Sequence, residues 1–265
     1  MQDKWQALKS IDIKRFYTAG VLLLVVIAVG VMHSFWVLWA FLGIVYAGAL
    51  YEATKLYMGR ISSLSLLLGA ILWAFALLTL FSPLFAFLAL FFLLMCLASF
   101  QGFTKKGEII YILPLLYPSV SFLLLLATYQ QFGIASLFLL IAIVGCSDIF
   151  ALLGGKLFGA HPLSPSSPGK TIEGALIGIG VATLVGGLFA YIWWVEVRLW
   201  QAIVLALLCA VASVFGDLYE SALKRAAGVK DSGTLLPGHG GVLDRVDGYL
   251  FAVIVFYPLF LWILA

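Results

Sequence analysis

The residues able to do chemistry gather in one stretch, SALKRAAGVKDSGTLLPGHGGVLDRVDG, from Ser221 to Gly248. It holds three Asp, four Lys or Arg, one His and six Gly in a chain otherwise rich in Leu, Phe, Val and Ala. Two more acids stand upstream at the ends of apolar runs: Asp148 in IVGCSDIFALLGG and Asp217 in VASVFGDLYE. Carboxylates are hard oxygen ligands, and one or two of them together with substrate phosphates suit Mg²⁺. His is scarce and Cys96, Cys146 and Cys209 are scattered through apolar runs, so neither a zinc site nor a disulfide framework is indicated. The loop between Asp217 and Asp244 leaves and re-enters one face, so these two acids can meet there. Asp244 and Asp247 share a helix face if a helix has already begun at that point.

Lys224, Arg225, Lys230 and Arg245 lie in the same stretch as these acids. A metal-carboxylate centre ringed by cations is what phosphoryl or nucleotidyl transfer requires. Basic residues also serve simply as contacts to anionic headgroups, which accounts for Lys55, Arg60, Lys105 and Lys106 but not for acids and glycines beside the bases. Pro237-Gly238-His239-Gly240-Gly241 precedes Asp244, and glycines let backbone amides approach a phosphate. His239 reads as a proton donor, a phosphate contact or only a loop cap. A second polar loop, HPLSPSSPGKTIEG, runs from His161 to Gly174. Its Gly169-Lys170-Thr171 ends like a phosphate-binding P-loop, but Ser164 stands where that motif needs its first glycine. What remains is a lysine-bearing, hydroxyl-rich loop opening a helix.

The elements that must carry these residues are membrane spans. The chain has 265 residues, 64% hydrophobic and 10% charged, with mean hydropathy +1.15. Soluble domains carry about 25% charged residues. About 20 apolar residues cross a bilayer as a helix. Nine candidate spans follow, near 16–32, 35–53, 63–81, 83–101, 109–128, 132–153, 174–195, 199–219 and 248–265. The basic N-terminus runs into the first span without a small-residue cleavage site, so that span is expected to be retained. Pro114 and Pro118 fall inside the fifth span, where a kink is expected. With the N-terminus in the cytoplasm, fourteen of the fifteen basic residues fall on the cytoplasmic side and only Arg198 falls outside. The expectation is an all-α polytopic membrane protein of about nine transmembrane helices, N-terminus cytoplasmic and C-terminus outside. Residues 1–105 would serve packing and assembly, and 106–265 would form the catalytic region with both polar loops.

The pattern S-x-L-K-R, four residues, K-D-x-G-x-x-L-P-x-H-G-G-V-x-D-R-V-D runs unbroken from Ser221 to Asp247. It closely resembles the signature of the phosphatidate cytidylyltransferases, or CDP-diacylglycerol synthases. Asp148 followed by G-K-L-F-G, S-P, S-P-G-K-T and E-G is similar to the same family. One position departs: the family often has Asp-x-x-Ala-Tyr, and here Leu152 follows Ala151, so no aromatic hydroxyl carries over. The resemblance implies conversion of CTP and phosphatidic acid to CDP-diacylglycerol and pyrophosphate with Mg²⁺, a monovalent cation such as K⁺ nearby, and a homodimer. It implies Asp217 and Asp244 as metal ligands. Asp148, Lys170, Lys224, Arg225, Lys230, Asp231, His239, Arg245 and Asp247 become the catalytic candidates. Ser164, Ser167, Thr171, Glu173, Ser221, Gly240 and Gly241 become further substrate-binding candidates. The implied setting is a bacterial inner membrane with the site facing the cytoplasm, and no nucleic-acid partner. The alternatives are an ion-coupled transporter, whose acids would line a pathway, and another phospholipid or polyprenyl-phosphate transferase. The D-G-x-x-A-R pattern of CDP-alcohol phosphotransferases is absent from the sequence.

Overall fold

The computed structural model describes residues 13–104, 112–235 and 240–265. Nine α-helices occur among them. They are α1 Ile13–Val31, α2 Phe35–Met58, α3 Ser63–Phe75 (continued by a 3₁₀ turn, Ala76–Leu80), α4 Pro83–Thr104, α5 Leu113–Phe132, α6 Ile134–Phe158, α7 Ile172–Trp193, α8 Leu199–Ala226 and α9 Leu243–Leu264. Eight segments, from α2 onward, are long and apolar enough to cross a bilayer. Large apolar side chains such as Phe91, Phe92, Leu184 and Ile192 face outward, as lipid contact requires.

Four helices run further than the apolar pattern indicates, α2 among them, which continues to Met58. α6 continues to Phe158, α8 continues to Ala226, and α9 begins at Leu243 rather than near 248. Hydropathy marks where the membrane ends, whereas α8 continues through Leu, Glu, Ala, Lys and Arg, all strong helix formers. At 28 residues, α8 is about 42 Å long, well beyond the roughly 30 Å hydrocarbon layer. Its polar end therefore holds Asp217, Glu220, Ser221, Lys224 and Arg225 on rigid helix rather than in a loop. The fifth helix starts at Leu113, which moves Pro114 into its first turn. No helical hydrogen bond is lost there, so the kink expected from Pro114 has no cause, while Pro118 is inside the helix. The 161–174 loop contains a short antiparallel hairpin, β1 Pro162–Ser164 with β2 Ser167–Thr171, pairing Pro162 with Thr171 and Ser164 with Ser167.

The buried side chains form two clusters. One joins Leu42, Tyr46 and Leu50 of α2 to Trp73 of α3, Phe122 of α5 and Leu243 and Leu250 of α9. The other joins Ile143 of α6, Leu205 of α8 and Phe256 and Phe260 of α9. Helices α5 and α9 contribute to both, and Ser121 Oγ of α5 donates to the Leu250 carbonyl of α9 at 2.6 Å. Close backbone crossings set the helix positions near the polar end. A Cβ on Gly178 of α7 would lie 2.4 Å from the Ser147 carbonyl oxygen of α6, and one on Gly216 of α8 would lie 2.3 Å from that of Asp247. Gly178→Ala is therefore expected to destabilise the fold by about 1–3 kcal/mol. Gly180→Ala, with nothing within 4 Å of its Cβ, is the matched control. Thermal midpoints in detergent check the pair; equal midpoints would mean that the crossing relaxes freely.

Candidate active site

Positions 217, 220 and 224 recur at helical spacing, so α8 presents them on one face. Lys224 sits between two carboxylates: its Nζ is 2.8 Å from Glu220 Oε2 and 2.5 Å from Asp244 Oδ1. Glu220 has no solvent exposure, and its side chain also meets the buried Asp247 carboxyl. Asp244, in the first turn of α9, accepts N–H bonds on Oδ2 from Ser232 at 3.0 Å and Gly241 at 2.8 Å. Gly240 adopts φ +81°, a left-handed conformation that glycine takes without strain. It stands immediately before the Gly241 amide that bonds Asp244.

Lys170, at the end of β2, pairs with Asp217. Burial holds the Lys170 ammonium below the usual lysine range, and the charges of Asp247 and Asp148 pull in the opposite direction. Asp148 also feels Arg245. Asp247 is buried, and its Oδ1 accepts the Gly248 N–H at 2.8 Å. Asp148, Asp217, Asp244 and Asp247 thus belong to one electrostatic neighbourhood organised by Lys170 and Lys224. Asp217 and Asp244 are each paired with a different lysine. Among the described residues, no group of three or more His, Cys, Asp or Glu converges closely enough to hold a metal ion.

Several other candidates have local partners. Thr171 caps α7 by accepting the Gly174 N–H at 3.2 Å. Glu173 accepts the Ala160 and His161 amides at 3.0 and 3.2 Å and meets the His161 ring at 2.6 Å. Ser164 Oγ accepts the Ser166 N–H within the hairpin turn. Arg225 donates to the Ser166 carbonyl at 3.2 Å and to that of Val229 at 3.1 Å, tying the hairpin to the end of α8. Ser167 is half-buried on β2, Ser221 is buried, and Lys230, Asp231 and Arg245 are exposed. His239 lies outside the described residues.

Sequence reasoning missed Glu52, Glu220 and Ser232. Glu220 was legible as the acid four residues before Lys224 on a helix. Glu52, in LYEATK, looks like any acid at the end of an apolar run.

Comparison with known proteins adds the chemistry. Residues 13–263 match the model of the cytidylyltransferase family. A phosphatidate cytidylyltransferase of Helicobacter pylori is 38% identical over 245 residues, covering 92% of this chain and 90% of that protein. The chain belongs to the phosphatidate cytidylyltransferase family. A Synechocystis phosphatidate cytidylyltransferase is 47% identical over 128 residues, 47% of this chain and 43% of its own length. A chloroplastic phosphatidate cytidylyltransferase of Arabidopsis thaliana is 51% identical over 106 residues, 40% of this chain and 27% of its own. Family membership gives the charged network a substrate class, since acids and lysines gathered at the end of a helical bundle are suited to phosphate chemistry.

Proposed function

We infer that the protein transfers the cytidylyl group of CTP to phosphatidic acid, forming CDP-diacylglycerol and pyrophosphate. The observation that carries this reading is a family match across nearly the whole chain. The network of Lys170, Lys224 and the four Asp supports it. A phosphatidate oxygen forms a bond to the α-phosphorus of CTP while the bond to the β-phosphate oxygen breaks, and pyrophosphate leaves. The attacking group is already on the lipid, so the protein needs no nucleophile of its own. Its work is to hold two polyanions in line and balance their charge.

Asp217 and Asp244 are the residues that would hold Mg²⁺, which supplies charge neutralisation at the phosphates. The donor set fits: both are hard oxygen ligands, and each faces a lysine ammonium, one or two such carboxylates being what Mg²⁺ takes beside substrate phosphates. Lys170 and Lys224, which face these carboxylates here, have the charge to receive phosphate oxygens. Residues 106–265 form the catalytic region in this reading, and residues 1–105 support it. The N-terminus and both polar loops face the cytoplasm, the C-terminus lies outside, and the membrane is a bacterial inner membrane. The segregation of basic residues supports this orientation. K⁺ and a homodimer are further parts of the reading and rest on the family resemblance.

The test is turnover of phosphatidate in detergent micelles by purified protein, with CTP or Mg²⁺ omitted in turn. CDP-diacylglycerol is expected only when both are present. A well-folded preparation that never consumes CTP overturns the reading.

A pH profile tests Lys170. Its folded pKa is lowered, so its positive charge is lost as pH rises through that lowered value. The alkaline fall of kcat/KM is expected to begin below the ordinary lysine pKa of about 10.4. In Lys170→Arg the guanidinium stays charged, so the fall should move to higher pH even if the maximal rate drops. Coincident profiles would remove Lys170 from the substrate contacts. The stability sign is opposite to that of a stabilising ion pair. The charged lysine weighs against the fold below its lowered pKa, and that penalty is relieved as pH rises toward about 10.4.

A further inference from the structure

Helix α2 reaches the polar end of the bundle with a single carboxylate, Glu52, that has no solvent exposure. Three donors from a segment about 180 residues later converge on it. Ser232 Oγ–H donates to Oε2 at 2.9 Å, the Val242 N–H to Oε1 at 3.1 Å, and the Leu243 N–H to Oε2 at 2.8 Å. Val242 is the N-cap of α9 and Leu243 its first residue, and the cap position supplies no side-chain acceptor. The first N–H groups of a helix have no partner within it and carry partial positive charge. Glu52 therefore caps α9 from another helix, and its three donors are what let the carboxylate remain buried.

The contact is built for a carboxylate. A Cβ on Gly233 would lie 2.2 Å from Glu52 Oε1, and one on Gly241 would lie 2.3 Å from Oε2 and 2.1 Å from Ser232 Oγ. Both glycines leave room that any larger residue would fill. Ser232 then links Glu52 to the reaction centre. While its hydroxyl donates to Glu52, its Oγ accepts the Asp244 N–H at 3.3 Å and its own N–H donates to Asp244 Oδ2. The chain of bonds runs from Glu52 through Ser232 to Asp244.

We propose that Glu52 is a positioning residue for the transfer reaction: it caps α9 and, through Ser232, fixes the Asp244 carboxylate in the orientation catalysis needs. Residues 1–105 thus contribute to catalysis as well as to packing. The kinetic half of this proposal rests on the function proposed above; the structural half does not.

The test uses the full-length protein in detergent, comparing wild type with Glu52→Gln. The amide of Gln would set an N–H against one group of these donors. Hydrogen exchange across residues 231–243 is expected to speed up, while exchange in α6 and α7 stays at wild-type rates. Turnover is expected to fall roughly 10- to 100-fold, with a matching rise in the Mg²⁺ concentration needed for half-maximal rate, the range seen when a partner of a metal-binding residue is removed. Wild-type exchange and wild-type Mg²⁺ dependence overturn the proposal. So does a variant that melts earlier yet keeps its turnover and Mg²⁺ dependence, since that is support of the fold alone. If Glu52→Gln does not fold, Ser232→Ala decides by the same readouts. It removes the link while leaving both amide bonds to Glu52, and unchanged turnover there overturns the proposal. If wild type makes no CDP-diacylglycerol, the proposed activity fails, and exchange in 231–243 still tests the clamp.

Discussion

Asp244→Asn is expected to lower CDP-diacylglycerol formation by about 10²–10³-fold, the range for losing one preorganised electrostatic contact. Both oxygens of Asp244 are in use. Oδ1 faces the Lys224 ammonium, and Oδ2 takes the Ser232 and Gly241 amides. Asparagine replaces one oxygen with an NH₂, so whichever way it turns, a donor meets a donor. The negative charge that would face Mg²⁺ is lost as well. Initial rates at saturating CTP and phosphatidate, with a Mg²⁺ titration, measure the effect. A well-folded Asp244→Asn protein with wild-type turnover would remove Asp244 from the reaction centre. The glycine turn before it would then be only a helix-starting device.

Lys224→Met is expected to cost about 3–5 kcal/mol of stability, the range for removing one partner of a buried ion pair. The lysine separates and neutralises Glu220 and Asp244, and Glu220 has no exposure to water. With Lys224 gone, Glu220 would lose its cation and the bond on Oε2, and would be left beside the Asp247 carboxyl, whose charge opposes its own. Adding Glu220→Gln to Lys224→Met should recover much of the stability, because the stranded charge is removed. It should not recover activity, because the cation is still missing. Thermal or denaturant unfolding in detergent, beside turnover of the same preparations, separates the two effects. If Lys224→Met is as stable as wild type, water reaches Glu220 and the buried triad is not a structural unit. If the double variant regains turnover, Lys224 serves the fold and not the phosphates.

These two variants and the Glu52 clamp probe different parts of one assembly. Lys224 joins α8 to α9, Glu52 joins α2 to α9, and Arg225 ties the β1–β2 hairpin to the end of α8. The site is held by contacts between elements far apart in sequence, with close helix crossings such as the one at Gly216 setting the spacing. That arrangement suits a reaction whose two substrates arrive from different phases. A rigid rim keeps charged side chains in place where the polar end of the bundle meets the lipid.

The sequence by itself determined the all-α polytopic class and the chemistry, and it singled out one candidate stretch for the site. Apolar runs of spanning length are a local property, because each helix satisfies its own backbone in lipid whatever its neighbours do. The Ser221–Asp247 pattern is likewise contiguous, so its acids, lysines and glycines could be read without knowing the fold. Tertiary structure decided which charge faces which. Lys170 meets Asp217, Lys224 meets Asp244, and Glu52 meets the start of α9. Each pairing depends on how helices are rotated and how closely they cross, and hydropathy records neither. The end of α8 was hidden for a related reason: a loss of apolar character signals water, while Leu218–Ala226 remains good helix in water as in lipid. Glu52 was the least legible residue of all. Its role comes from unpaired amides on a helix nearly two hundred positions away, and only the packed molecule brings those donors to the one carboxylate that α2 buries.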